Sequence, residues 1–341
     1  MQESTPETLS QDTEQWLTRH VSGYIGPGRP HKFGFGQSNP TYRLETASRS
    51  YVLRRKPFGI LLPKAHAIER EYRVLSALSG TDVPVPAVYG FCEDTGLLGT
   101  PFFVMEYISG RIFHDQTLPD LTVAERAGIF DSMNDVIAKL HCVDPAAIGL
   151  GDYGRPENFL PRQIALWSQQ YRASETIPIP AMEHLIDWLP RNAPAQQTGR
   201  IFHGDFRLDN LIFHPIKPEV IAVLDWELST LGDPVADFAY NAMLWRVSPA
   251  LFRGLQGLDF ASLGIPDESS YVEQYCDRVG RHGLPAWSFY LAFGLFRVAA
   301  ILQGVRRRSM DGNAASADAD IVGAKAAPLA DIAWTIARES K

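Results

Sequence analysis

Between positions 65 and 78 apolar residues recur at three- and four-residue spacing. Ile68, Tyr72, Leu75 and Leu78 line one stripe, and the spacing predicts an amphipathic helix over 65–78. Glu71 falls on the same stripe. A carboxylate there is expensive to bury alone, so Glu71 either finds a cationic partner or reaches out at the edge of the packed face. Upstream, Thr41 to Thr46 and Tyr51 to Lys56 carry the two-residue alternation of strands, separated by Ala47-Ser48-Arg49-Ser50. Pro101 to Tyr107 reads as a buried strand ending near Gly110. An opening helix is predicted over 9–22, with Ser10 as its cap and Leu9, Trp16, Leu17 and Val21 as contacts; a loop rich in Gly and Pro follows from Gly23 to Pro30. Pro84 and Pro86 interrupt the chain. Beyond Gly110 the pattern is mainly helical, apart from a strand-turn-strand unit around 200–226. The expected architecture is α+β: a small β-rich N-terminal lobe, 1–106, joined to a larger and mainly helical C-terminal lobe, 107–341.

One apolar stretch, Ala286 to Val305, is about as long as a bilayer span. Arg297 near its middle is costly in hydrocarbon, and Arg306, Arg307 and Arg308 close it, so a buried helix of the larger lobe is the expectation. Composition changes the picture by exclusion. With 45% hydrophobic and 21% charged residues the chain reads as a soluble globular protein, and 341 residues suffice for two lobes. A net charge of −7 argues against a nucleic-acid surface. The three cysteines, Cys92, Cys142 and Cys276, are far apart and odd in number, which fits a reducing cytosol better than a disulfide framework or a zinc site. The first residues lack a basic start and apolar core, so a cytoplasmic protein is expected, a monomer or homodimer whose partner is a small hydroxylated molecule.

Candidate chemistry concentrates in His203-Gly204-Asp205-Phe206-Arg207-Leu208-Asp209-Asn210, followed fifteen residues after Asn210 by Asp225 at the end of the apolar run Val220 to Leu224. The five-residue spacing lets a tight loop present Asp205 and Asn210 together, and Asp225 should emerge at a strand's end as a hard oxygen ligand. A carboxylate toward an acceptor hydroxyl and two oxygen donors toward Mg²⁺ are what phosphoryl transfer requires. Singly, each is as well explained by a satisfied turn. His203, ahead of a glycine, is either a general base or a structural imidazole bonding loop backbone. Arg207 and Asp209 are open between solvent and substrate. Asp237, in Gly232-Asp233-Pro234-Val235-Ala236-Asp237, reads as a buried acceptor that holds loop N–H groups. Gly34 and Gly36, ahead of Ser38, form a G-x-G that either covers phosphates or makes a plain hairpin turn, Asn39 standing where a third glycine would fall. On the following strand Arg54 alternates with Val52; it either reaches phosphates and pairs with Glu71, or joins Arg55 and Lys56 in a solvated basic edge.

As they stand, HGDFRLDN, LDWE and GDPVADFA resemble the aminoglycoside phosphotransferase family, which has a protein-kinase-like two-lobe fold. YVLRRKP, AHAIEREYRVLSAL, VPVPAVYGFCED, GTPFFVMEY and GLGDYGRPENFLPRQIALWSQQY extend the likeness over nearly the full chain, toward the subgroup found fused ahead of acyl-CoA dehydrogenase domains. The resemblance implies an ATP- and Mg²⁺-dependent small-molecule kinase. In it Asp205 is the catalytic base, Asn210 and Asp225 bind Mg²⁺, Arg54 pairs with Glu71, and the backbone of Glu106 to Ile108 meets adenine. One departure stands out: the family's usual lysine is arginine at 54.

For the acceptor, Arg297, Arg306, Arg307, Arg308, Arg155 and Arg162 favour an anionic or CoA-linked compound if they face the cleft, and a solvated basic face otherwise. The fused relatives imply a hydroxyacyl-CoA or hydroxy acid. Two alternatives stand: an aminoglycoside or other antibiotic kinase, which calls for clustered acidic residues at the acceptor pocket, and a non-catalytic nucleotide-binding module, which has no need of Asp205.

Overall fold

The computed structural model describes residues 8–34, 39–59, 67–195, 197–312 and 318–339. Its elements are α1 (Gln11–His20), β1 (Arg29–Lys32), β2 (Thr41–Glu45), β3 (Ser50–Arg55), α2 (Ile68–Leu78), β4 (Val88–Cys92), α3 (Thr95–Leu98), β5 (Phe102–Glu106), α4 (Val123–Cys142), α5 (Phe159–Ser174), α6 (Pro180–Asn192), β6 (Arg200–Phe202), β7 (Leu211–Phe213), β8 (Val220–Val223) and β9 (Thr230–Gly232), then α7 (Pro234–Ala242), α8 (Pro249–Phe252), α9 (Phe260–Leu263), α10 (Glu268–Arg278), α11 (Trp287–Met310), α12 (Ala319–Gly323) and α13 (Ala326–Glu339). They form two compact units. The first is Met1–Arg111 with Ile212–Pro215 and Ile221–Leu228; the second is Ile112–Leu211, Ile216–Val220 and Ser229–Lys341. The expected cut at 106/107 therefore falls differently. Arg111 exchanges backbone hydrogen bonds with Phe213, and the Val223 N–H donates to the Pro84 carbonyl, which ties residues 212–215 and 221–228 to the first unit.

In the first unit a five-stranded sheet runs β1-β2-β3-β5-β4, antiparallel throughout. β3 lies in its middle and has no exposed position. Its alternation sends Tyr51 and Leu53 into a core with Leu17, Val21, Leu44, Phe102 and Val104, while Arg54 faces Glu71 on α2. Ser10 caps α1 by accepting from the Thr13 N–H, as its position predicts. Two strands depart from expectation. β1 occupies part of the stretch assigned to a loop, because an edge strand tolerates the Pro30 that suggested one. β4 follows directly on the Pro84 and Pro86 break, and β-branched or aromatic residues at Val88, Tyr89 and Phe91 sustain it.

In the second unit α11 is the central helix, packed by α13, α12, α5 and α7. Every residue from Phe289 to Ala300 is buried, so its apolar character runs all round, as a core helix requires. Among the described residues it is the one helix long and apolar enough to cross a membrane, and most of that stretch is buried in this unit. α4 begins with a reciprocal capping box between Thr122 and Glu125. β6 pairs antiparallel with β9, which brings the chain ahead of Asp205 beside the chain ahead of α7.

Candidate functional site

Ile201 and Phe202 bury β6 and deliver the chain to a loop whose shape is held from below. The Asp237 carboxylate on α7 accepts the His203 N–H at 2.7 Å and the Gly204 N–H at 2.9 Å. Gly204 has φ +87°, a left-handed conformation that glycine takes without a Cβ penalty. The His203 imidazole Nδ1 accepts the Asp205 N–H at 3.1 Å, the backbone-holding role its position suggests. Asp237 is wholly buried, and desolvation alone would raise its pKa. The hydrogen bond of His141, the field of the two nearby imidazoles and the Gly204 N–H outweigh that, and the net shift is downward. His141 Nε2 lies 3.3 Å from Asp237 and Nδ1 lies 2.7 Å from the Tyr275 hydroxyl. Since a carboxylate only accepts, Nε2 carries the proton it shares with Asp237.

On this frame the Asp205 carboxylate receives Tyr240 O–H at 2.7 Å, Asn210 Nδ2 at 2.8 Å and Arg207 Nε at 3.1 Å. The Asn210 amide also donates to the Asp205 carbonyl at 2.9 Å, which fixes which end of the amide is nitrogen. Its oxygen accepts nothing from the described residues, so a hard ligand atom is left over. Arg207 divides itself between Asp205 and Asp209, and Asp209 takes Arg253 at 2.9 Å. Neither Arg207 nor Asp209 is simply solvated.

A second constellation belongs to the first unit. Arg54 Nε donates to Glu71 Oε2 at 2.7 Å, Nη1 to the Thr41 hydroxyl at 3.1 Å, and Nη2 to Asp225 Oδ1 at 3.4 Å. Arg54 and Glu71 are buried, so the reading of Arg54, Arg55 and Lys56 as a solvated basic edge is overturned for both arginines. β3 is an interior strand. Arg55 lies over the Phe58 ring and bonds the Tyr42 hydroxyl, while Lys56 alone reaches outward, to Glu69 at 2.9 Å. Glu71 correspondingly does not lie at the edge of its helix face. Burial pushes its carboxyl up, to about 7, against the pull of Arg54. Arg54 is raised: its desolvation is outweighed by the charges of Glu71, Asp225 and Glu227. Asp225 follows β8 with φ +64°, a left-handed turn that aspartate tolerates and that swings the chain into the 3-10 turn Trp226–Leu228. Its side chain stays partly exposed and meets Arg54 only at long range, which leaves oxygen lone pairs open.

The remaining candidates are placed as follows. Gly34 is exposed and a Cβ there would meet nothing within 4 Å, so the protein itself does not demand glycine. Gly36 and Ser38 lie outside the described residues. The Glu106 N–H donates to the Ala87 carbonyl at 2.8 Å and its carboxylate accepts the Ala87 N–H, while the Ile108 N–H has no partner among the described residues. Arg155, Arg162, Arg307 and Arg308 are exposed and Arg306 is half-exposed toward Asp320, the solvated reading of that basic set; Arg297 alone is buried. Tyr240 and His141 escaped sequence reasoning. Tyr240 sits three residues beyond Asp237 on α7, one helical turn away, and that spacing was a usable signal. His141 belongs to no motif.

The phosphotransferase enzyme family model matches residues 31–271. Mouse acyl-CoA dehydrogenase family member 10 is 50% identical over 94% of this chain, and rat acyl-CoA dehydrogenase family member 11 is 40% identical over 96%. The chain spans 31% and 43% of the length of those two relatives. Among solved structures, a Ralstonia eutropha protein named as an aminoglycoside phosphotransferase superposes with a TM-score of 0.91 at 51% identity, covering 98% of this chain and 99% of that one. A spectinomycin phosphotransferase in complex with ADP and spectinomycin shares the fold at a TM-score of 0.63 and 12% identity, covering 99% and 100% of the two chains.

Proposed function

From the premise that this chain belongs to the phosphotransferase enzyme family, we propose that it uses ATP and Mg²⁺ to phosphorylate the hydroxyl of a small acyl compound, a hydroxy acid or a hydroxyacyl-CoA. The observation that carries the reading is the state of Asp205. A carboxylate has about four lone-pair sites, and Tyr240, Asn210 and Arg207 occupy three, which leaves one for a substrate hydroxyl. A protein that only binds nucleotide has no use for a carboxylate oriented this carefully. Asp205 takes the hydroxyl proton as the alcohol oxygen attacks the terminal phosphorus of ATP, and ADP leaves.

Arg54, buried and bearing two anionic neighbours, is the cation offered to the phosphates. Asn210, whose amide oxygen accepts nothing from the described residues, and Asp225, with its open carboxylate, each carry a hard oxygen of the kind Mg²⁺ prefers. The ion supplies charge neutralisation on the phosphates when bound. The acyl identity of the acceptor is supported by the relatives whose names are acyl-CoA dehydrogenases. Phosphorylation turns a poor leaving hydroxyl into a good one, so the product suits a later elimination. The antibiotic phosphotransferases with 12–14% identity support the fold alone.

The test is a screen of hydroxy acids, their CoA thioesters and aminoglycosides with ATP and Mg²⁺, scored as ADP release above the acceptor-free rate. Turnover of an acyl acceptor, lost in Asp205→Asn, is expected. Turnover confined to aminoglycosides would overturn the acyl assignment, and acceptor-independent binding of ATP with no transfer to any compound would overturn the kinase reading.

A further inference from the structure

Arg297 stands on α11 in the core of the second unit, 5% exposed. Buried charges are normally paired, because an uncompensated cation in the interior costs several kcal/mol, on the order of what a whole ion pair must repay. Among the described residues Arg297 forms no ion pair. One nitrogen, Nη2, donates to the Gly204 carbonyl at 2.6 Å, the residue immediately before Asp205. Nε is buried and has no acceptor among the described residues. The guanidinium is instead clasped between aromatic faces, its carbon 4.9 Å from the Tyr240 ring centre and 5.3 Å from that of Trp167. Tyr240 is the same residue whose hydroxyl bonds Asp205.

A carboxylate partner on the protein would have been the cheap way to settle this cation; two rings and one carbonyl leave it under-satisfied while holding it next to the proposed base. Such a cation is positioned for an oxygen that arrives with the substrate. We propose that Arg297, flanked by Trp167 and Tyr240, binds the acyl oxygen of the phosphoryl acceptor, the carboxylate of a free hydroxy acid or the carbonyl of its thioester. The planar fork suits a planar acyl group, and the two flat walls suit a short apolar chain between that group and the hydroxyl. The inference rests on the kinase reading for the identity of the acceptor, but the binding it describes is measurable without transfer.

The experiment therefore has two arms. In the first, the thermal midpoint of wild-type protein and of Arg297→Met is followed with straight-chain carboxylic acids and acyl-CoA thioesters lacking the hydroxyl, and with inorganic phosphate. The acyl compounds should raise the midpoint of wild type and not of the variant. A rise of equal size in both, no rise in wild type, or an Arg297-dependent rise with phosphate alone overturns the assignment. In the second, ADP release is measured with hydroxy acids or their thioesters and with the matching diols, which keep the hydroxyl and lack the acyl group. Wild type should prefer the acyl acceptor, and Arg297→Met should lose at least about tenfold of that preference in kcat/KM, mostly through KM. If Arg297 serves only to hold the Gly204 carbonyl, diol and acid turnover fall together and the preference survives, which overturns the proposal. Arg297→Lys, which keeps the charge but not the fork, guards against a variant that fails to fold and should fall between the two. The acid and thioester series distinguish which acyl oxygen is read. Failure of all acceptors in the second arm with success in the first would remove the kinase reading and leave the site.

Discussion

Arg54 is buried between two carboxylates, Glu71 at 2.7 Å and Asp225 at 3.4 Å, whereas Asp205 is half-buried among three donors, Tyr240, Asn210 and Arg207. Once Glu71 gives up its proton, at about 7, the first cluster has one cation against two anions, and Glu227 adds to the same field. Its surplus negative charge is unfinished until a cation joins it, and its exposed member, Asp225, is the one free to do so. The second cluster is close to neutral within itself, and its bonds come from rigid elements: the α7 helix, the loop pinned by Asp237, and a 3-10 turn that closes on Asn210. One region is tuned by charge and the other by orientation. Charge-altering and shape-altering substitutions should therefore separate them.

The sharpest separation comes from Asp205→Asn, which keeps the shape and removes the base. Acceptor-dependent ADP release should fall by about 10²- to 10⁴-fold with the thermal midpoint little changed. Retained transfer would break the comparison at its centre. Next, Asp237→Ala leaves two buried N–H donors and His141 without their acceptor and should cost about 3–5 kcal/mol in urea unfolding. Because Asp237 is shifted downward, its stabilisation is present above the ordinary carboxylate range and is lost as pH falls through its folded value; the variant should be the less acid-sensitive protein. A change under about 1 kcal/mol would show that the loop is held elsewhere.

In the charge-tuned region, Arg54→Met should weaken ATP binding by about ten- to a hundredfold in a titration, with Arg54→Lys between it and wild type. Glu71 supplies a pH test with the opposite sign to Asp237. Its carboxyl is raised in the folded state to about 7 from an ordinary 4.5, so the folded protein holds the proton longer than the unfolded chain does. Stability contributed at this residue should fall as pH rises from 4.5 to about 7 and stay level above. The difference between wild type and Glu71→Gln, followed by urea midpoints across that range, should narrow or invert accordingly; a difference independent of pH would remove the buried-carboxyl account. The smallest effect belongs to Tyr240→Phe, which deletes one donor of three and should lower kcat about fivefold while leaving ATP affinity alone.

Much of this was legible in the chain. The stripe from Ile68 to Leu78, the alternation around Tyr51 to Arg55, and the spacing of Asp205, Asn210, Asp225 and Asp237 all depend on local periodicity or on a short motif, and local rules suffice for them. What stayed hidden depends on partners brought from afar. Whether Arg54 was a surface charge turned on β3 being flanked by β2 and β5, and β5 begins more than forty residues later. His141 meets Asp237 across 96 positions, with no pattern linking α4 to α7. β1 was obscured because proline is a weak guide at an edge strand, and β4 because a proline pair that ends one element can as easily precede another. Arg297 was visible as an oddity in an apolar run, but its lack of a counter-charge could be seen only once its neighbours were known.

The guanidinium at position 54 also decides how this protein can be addressed chemically. Reagents that acylate an ε-amine would find none on β3, where the cation buried against Glu71 is a guanidinium. By the same token, acetylation, which would erase the charge of a lysine at that position, has no purchase on the arginine that stands there.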